Sequence, residues 1–239
     1  MQVTIFASPK ALLLKGNIPV RGSLAGQQFD STDVALLSED LINTHTLLPL
    51  FDRFFLVLSN DSEEERAEVY SAFFSWLAPQ YENIIELERN RDNVRILSGL
   101  LNLDIPGTVL DFGCGTGFTF RELRKFGHEV IGVDSCQKMR EIASLHCREV
   151  YSPDEVRCAE FAVDGIIASY VFHFNPSYST ITPCWSRLKR FGILAANVHK
   201  GIGLIDTMKK LKDLGAEVID LGTRVGAERH GNYIIARKL

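Results

Sequence analysis

From Thr108 onward, short apolar runs alternate with segments whose apolar positions recur every three or four residues. The pattern predicts strands over 108–112, 129–134, 149–152, 164–170, 192–198, 216–221 and 232–237. Helices are expected between them, over 117–126, 136–147, 178–190 and 203–214. In the last of these, Leu204, Ile205, Met208, Leu211 and Leu214 share one face, and Gly215 stops the helix. Such alternation marks a parallel sheet covered on both faces. The segments 217–225 and 233–237 flank the turn-rich 226–232 and predict an antiparallel hairpin at the sheet edge. The expected fold class is α/β: a doubly wound, mostly parallel seven-stranded sheet with an antiparallel last strand.

The first hundred residues follow another pattern and form a separate, mainly helical segment (1–100) ahead of the core (101–239). Residues 1–30 place Gly16, Pro19, Gly22 and Gly26 between short apolar runs and allow no assignment beyond hairpin or loop. A helix is expected from Asp33 toward Thr46. Ser62 with Glu65 predicts a capping box and a helix to about Leu77. Pro79 then breaks the chain. A long helix follows from about Gln80 to Leu101, with Ile84, Ile85, Leu87, Val94, Leu97, Leu100 and Leu101 toward the sheet.

The most informative stretch is Val109-Leu110-Asp111-Phe112-Gly113-Cys114-Gly115-Thr116-Gly117. An apolar strand runs into an acid and then into glycines at alternate positions, where a backbone turns at positive φ and a ligand meets no side chains. The helix that follows turns its free amides toward whatever sits on the loop. A second strand, 129–133, ends in Asp134, where a doubly wound fold keeps its ribose-binding acid. The dinucleotide fingerprint requires a third glycine where Phe118 stands, and Asp111 would repel a pyrophosphate. A carboxylate there suits a ligand with a cationic end. S-adenosylmethionine fits: adenosine at one end, a charged amino acid at the other.

This string resembles motif I of the class I (Rossmann-like) S-adenosylmethionine-dependent methyltransferases of the small-molecule type. The resemblance covers roughly the last 130 residues in family order and implies S-adenosylmethionine as cofactor, with S-adenosylhomocysteine as product. It implies that Gly113, Gly115 and Gly117 pass close to the methionine portion, with Cys114 as the small residue that fits between them. Asp111 would hold the ammonium. Asp134, beside Ser135, would accept both ribose hydroxyls, or cap the next helix. Asp154 stands where family members often accept the adenine amino hydrogen, and a solvated turn acid is the equal alternative. Val156 and Phe161 could border the adenine. Ser169, Tyr170 and His173 fall in a segment similar to motif IV, beside the reactive methyl. His173 and Tyr170 are the catalytic candidates; His173 would serve as a base, or pack between Phe172 and Phe174. Tyr81 would cover the donor, and segments before motif I would form a lid. Asn175-Pro176-Ser177-Tyr178 resembles a nitrogen-gripping motif but lies beyond its usual place, and reads better as a helix start.

Composition adds limits. The chain has 239 residues, 46% of them hydrophobic, and a net charge of −4. No apolar run reaches membrane-spanning length and no signal peptide is evident. Five cysteines without Cys-x-x-Cys spacing argue against disulfides and structural zinc, which points to the cytoplasm. No basic stripe with interleaved aromatics is present, which argues against a nucleic-acid partner. The expected activity is methyl transfer to a small molecule, through O, N or C, with a homodimer as the candidate assembly. The alternative is a catalytically inactive donor-binding fold acting as scaffold or partner subunit.

Overall fold

A computed structural model describes residues 2–8, 11, 27–30, 43–50, 54–103, 105–223 and 230–239. The chain divides into two units, Met1–Gln80 and Tyr81–Leu239. No helix among the described residues is long and apolar enough to cross a membrane.

The first unit holds strands β1 (Gln2–Ala7), β2 (Gln27–Asp30), β3 (His45–Leu50) and β4 (Phe54–Ser59), and a helix at Glu63–Leu77. The strands form one sheet in the order β2-β1-β4-β3, with β1 and β4 parallel. The segment expected to be mainly helical also carries this four-stranded sheet ahead of its helices. Thr46, at the end of the helix expected from Asp33, lies in β3, and the apolar run 54–58 is β4. Aromatic and branched residues in short runs fit a buried pleated surface better than a helical stripe. Most of the helix expected from Asp33, and most of 9–26, where no assignment was made, lie outside the described residues. The Ser62 cap forms, its hydroxyl accepting from Glu65 N at 3.2 Å. The reciprocal half of the expected box does not, because the buried Glu65 carboxylate instead meets Ser8 Oγ and His45 Nε2. Phe6, Phe54, Leu56, Phe73 and Leu77 form the apolar interior of this unit.

The second unit begins with one helical turn, Tyr81–Ile84, and a helix at Leu87–Leu101. The single long helix expected here is broken at Glu86, which is extended. The break serves two faces: Val94, Leu97 and Leu101 are buried against the sheet, while Tyr81 is free to point elsewhere, and Leu87 is exposed. Strands β5 (Thr108–Phe112), β6 (Glu129–Val133), β7 (Val150–Tyr151), β8 (Val163–Ala168), β9 (Leu188–Val198), β10 (Ala216–Gly222) and β11 (Asn232–Lys238) follow. Their order is β10-β11-β9-β8-β5-β6-β7. All neighbours from β9 to β7 are parallel, and β11 runs antiparallel between β9 and β10. The expected fold class holds for this unit, hairpin at the edge included. Successive residues serve opposite faces: Leu110, Ile131 and Ile166 enter one core, Val109, Val130 and Ile167 the other. Strands covered on both faces read as continuous apolar runs, which is why the sequence revealed them.

Boundaries differ in places. The helix at Tyr178–Arg187 ends earlier than expected, and β9 starts at Leu188. A short helix, Pro153–Cys158, capped reciprocally by Ser152 and Glu155, replaces the turn expected after β7. Its Val156 is fully buried in the core, so it is not an adenine border. Most of the hairpin turn, 224–229, lies outside the described residues.

Candidate active site

The loop after β5 carries the glycines. Gly113 has φ +75, and a Cβ there would stand 2.4 Å from Val171 Cγ2, so only glycine allows the turn. The amides of Gly113 and Cys114 both donate to Val133 O, at 2.7 and 3.0 Å, tying the loop to the end of β6. Asp134 completes the tie: its Oδ2 accepts from Gly115 N at 2.9 Å and its Oδ1 from Cys136 N at 2.8 Å. The helix cap therefore runs through Cys136, while Ser135 is exposed and its carbonyl accepts from Arg140. Burial raises the Asp134 pKa, and these two amides and Arg140 offset part of that rise.

Asp111 is different. At the end of β5 it is 1% exposed, and neither carboxylate oxygen has a hydrogen-bond partner. Burial pushes its pKa up to about 7; the nearby Thr119 hydroxyl works against this and Asp134 adds to it. A buried carboxylate without a partner is costly. Its chemistry asks for a cation. Cys114 is buried, and burial raises its thiol pKa, so it is an inert small side chain.

Tyr81 sits over the loop, its Cε1 3.7 Å from where a Gly115 Cβ would be. Burial, then Asp134 and Asp111, raise the pKa of its phenol. Glu82 fixes this turn in place, accepting from Thr116 Oγ1 at 3.0 Å and from Arg121 Nη2 at 2.8 Å. Asp154 lies farther out, on the exposed first turn of Pro153–Cys158, 3.3 Å from Arg157. Phe161 stacks on Tyr151, ring centroids 5.6 Å apart.

Beyond the end of β8 the chemistry changes sign. Tyr170 has φ +56, and its amide donates to Asn197 Oδ1 at 2.8 Å. Its hydroxyl lies 2.6 Å from His230 Nδ1 and accepts from Arg89 Nε at 3.2 Å. Arg89 Nη2 lies 3.3 Å from His199 Nδ1. Behind them runs a buried amide network. Tyr233 Oη donates to Asn93 Oδ1, and Asn93 Nδ2 lies within bonding distance of both Ser169 Oγ (2.8 Å) and Asn197 Oδ1 (2.9 Å). Asn197 Nδ2 closes it on His230 O at 2.8 Å. Asn93, Asn197 and His230 are all fully buried. Gly231 makes the approach possible: φ is +85, and a Cβ would lie 2.2 Å from Val198 O.

His173 packs against Phe174, centroids 3.9 Å apart, and its Nδ1 is buried without a partner. Burial, with His199 nearby, lowers its pKa to about 3. Burial and then Arg89 lower that of His199 to about 4. Both rings are neutral near pH 7. Asn175 Oδ1 accepts from Lys210 Nζ at 2.7 Å and Ser177 caps the following helix, so this stretch acts as a helix start.

The family model described as a methyltransferase domain matches residues 83–181. An uncharacterised methyltransferase of Bacillus velezensis is 28% identical over 68% of this chain and 74% of its own length. One from Bacillus mycoides is 29% identical over 46% of this chain and 51% of its own. The fold is similar to that of a S-adenosylmethionine-dependent methyltransferase from Archaeoglobus fulgidus (TM-score 0.52, 17% identity, covering 70% of this chain and 99% of that one). It is also similar to the 1,6-didemethyltoxoflavin-N1-methyltransferase of Burkholderia thailandensis, solved with S-adenosylhomocysteine (TM-score 0.58, 17% identity, 81% and 95% covered). Residues 83–181 thus match a methyltransferase domain, and the fold is that of the class I S-adenosylmethionine-dependent methyltransferases.

In this domain Asp111, the three glycines, Cys114, Asp134 and Tyr81 come together at the carboxyl ends of β5 and β6. Ser169, Tyr170 and His173 gather beyond β8, and Asp154 stands apart. Sequence reasoning missed Arg89, Asn93, Asn197, His230 and Tyr233. Two signals were present. Asn197 interrupts the apolar run of β9, and Arg89 and Asn93 stand four apart on a helix whose neighbouring positions, Val94 and Leu97, face the core.

Proposed function

We propose that this methyltransferase acts on a small-molecule acceptor bound between the glycine loop and the end of β8. The orphaned, buried Asp111 carboxylate carries the reading: it fits the ammonium of the donor's amino-acid end, and the side-chain-free loop fits the donor's close approach. Asp134 and Ser135 would hold the ribose. Each Asp134 oxygen already binds one amide and keeps a second lone pair for a hydroxyl. Tyr81 would cover the donor, Ser169 would border it, and Asp154 would serve the adenine edge. When bound, the donor supplies a methyl on a positively charged sulfur. The protein's own task is to align and desolvate the reactants, an effect worth up to about 7–11 kcal/mol.

Tyr170 and His173 face the acceptor, and the positive or neutral nitrogen groups around them complement an acceptor that carries oxygen. Calorimetric titration with S-adenosylmethionine and S-adenosylhomocysteine tests the donor assignment; absence of binding by both at millimolar concentration would end it. Transfer of a labelled methyl to a member of a metabolite panel would settle the acceptor.

A further inference from the structure

We propose that the Tyr81 ring is a gate on the glycine loop, held shut by Glu82, so that Glu82 and its partner Arg121 set how fast the donor enters. This rests on the donor reading above and adds the step that controls access to that site.

The ring stands where the donor is to lie. Gly115 presents no side chain of its own, and Tyr81 fills the space this leaves, its Cε1 3.7 Å from where a Cβ would be. One carbon–carbon bond more puts the ring edge within roughly 5 Å of the Gly115 Cα. An atom lying between the two would need about 3.5–4.0 Å to each. Ring and ligand therefore cannot share that side of the loop. Asp134 and Asp111, the two acids proposed to bracket the donor, both act on the Tyr81 phenol, so the ring stands within reach of both their charges.

The turn that carries the ring is lightly held. Tyr81–Ile84 is four residues long, and none of them is buried. Ile85 N donates to Tyr81 O at 3.1 Å and closes the turn. Glu86 is extended, and the helix at Leu87–Leu101 starts without a side-chain cap, so the chain is jointed just beyond. Glu82 anchors the turn to the loop and to the helix behind it. Its Oε1 accepts from Thr116 Oγ1 at 3.0 Å, one residue along from Gly115, and its Oε2 from Arg121 Nη2 at 2.8 Å. Thr116 is buried, whereas the side chains of Arg121 and Glu82 are 40% and 32% exposed. An ion pair open to water is worth little singly, which suits a contact that must break each time the donor exchanges.

The consequence is kinetic. A ligand that enters only when the ring is lifted meets a fraction of the molecules, and its apparent association is scaled down by that fraction. Loosening the anchor enlarges the fraction and speeds entry. Once the donor is in place, the same ring closes on its outer side, in keeping with its covering role.

Surface plasmon resonance on the immobilised full chain, with S-adenosylhomocysteine in flow, reads entry and exit separately. Glu82→Gln and Arg121→Gln should each raise the association rate constant about five- to tenfold, the weight of a charge-assisted bond at a half-open site. The double variant should add little to either, because both changes break one pair. The two substitutions change net charge in opposite directions, so a common rise is not electrostatic steering. A merely structural Glu82 would speed dissociation and leave association unchanged or slower. A rise in only one variant, or in neither, would overturn the gate; Arg121→Gln, on the more exposed side of the pair, decides alone if Glu82→Gln does not fold. Binding by the variants where the wild type shows none would be the gate at its tightest. Failure of all of them to bind ends the donor reading and the gate with it, whereas wild-type binding with unmoved association in the variants defeats the gate only.

Discussion

Around Asp134 the hydrogen bonds that shape the proposed donor end join residues 2 and 19 apart in the chain. Around Tyr170 they join residues 60, 81 and 140 apart, if the amide network behind it is included. The donor end is acidic and built from one strand–loop–helix plus the tip of the next strand. The proposed acceptor end is rich in nitrogen and assembled from a helix, three strand ends and a loop. A ligand common to a whole family can be held by one contiguous motif, whereas a particular acceptor requires side chains gathered from many places. The two ends should therefore fail differently when mutated.

The largest effect is expected from Asp134→Ala. It removes the proposed ribose acceptor, the Gly115 tie and the Cys136 cap together. S-adenosylhomocysteine affinity should fall at least about 100-fold, or ~3 kcal/mol, by calorimetry. Unchanged affinity would refute the ribose assignment. At the other end, Asn197→Ala should act on the fold before the ligand. It strands buried donors and acceptors on Tyr170, His230 and Asn93, and chemical denaturation should report a loss of about 2–4 kcal/mol. Loss of donor affinity with full stability would erase the contrast drawn here.

Asp111→Asn sharpens the contrast through pH. The folded carboxyl titrates at about 7 against an ordinary 3.8. Between those values the folded state keeps a proton that the unfolded chain has released, so stability falls as pH rises from about 4 to about 7. The variant should flatten that slope and melt higher than wild type at pH 8, while binding S-adenosylhomocysteine weakly and without the wild type's gain in affinity through pH 7. Parallel stability profiles for the two proteins would show that Asp111 is not buried unpaired. The smallest effect is expected from His173→Phe. The His173 pKa is depressed to about 3, so the unfolded chain takes up its proton first and stability is lost as pH falls below about 6.5. Phenylalanine should remove that acid sensitivity and add roughly 1 kcal/mol at pH 5; donor affinity should stay constant, and a tenfold change in it would place His173 at the donor instead.

What the sequence made legible follows the same division. Strands β5, β6 and β8, buried on both faces, announced themselves as apolar runs, and Asp111 and Asp134 stood out by position against them. The partners of Tyr170 did not, because nothing in local spacing says that Arg89, from a helix, and His230, from the turn before β11, meet at its hydroxyl. In the first unit, Glu65 matched a local capping pattern, but burial beside Ser8 and His45 overrode it. The break at Glu86 was hidden for a similar reason: the apolar spacing is helical on both sides of it.

The lonely acid at the end of β5 has a consequence for the protein's life in a cell. On the proposed reading, holding it is expensive until the cationic donor arrives, and anything that binds only the folded form shifts folding by mass action. Proteases sample the opened chain, so starving a culture of the sulfonium should shorten the half-life of this polypeptide, and replenishing it should let the polypeptide accumulate.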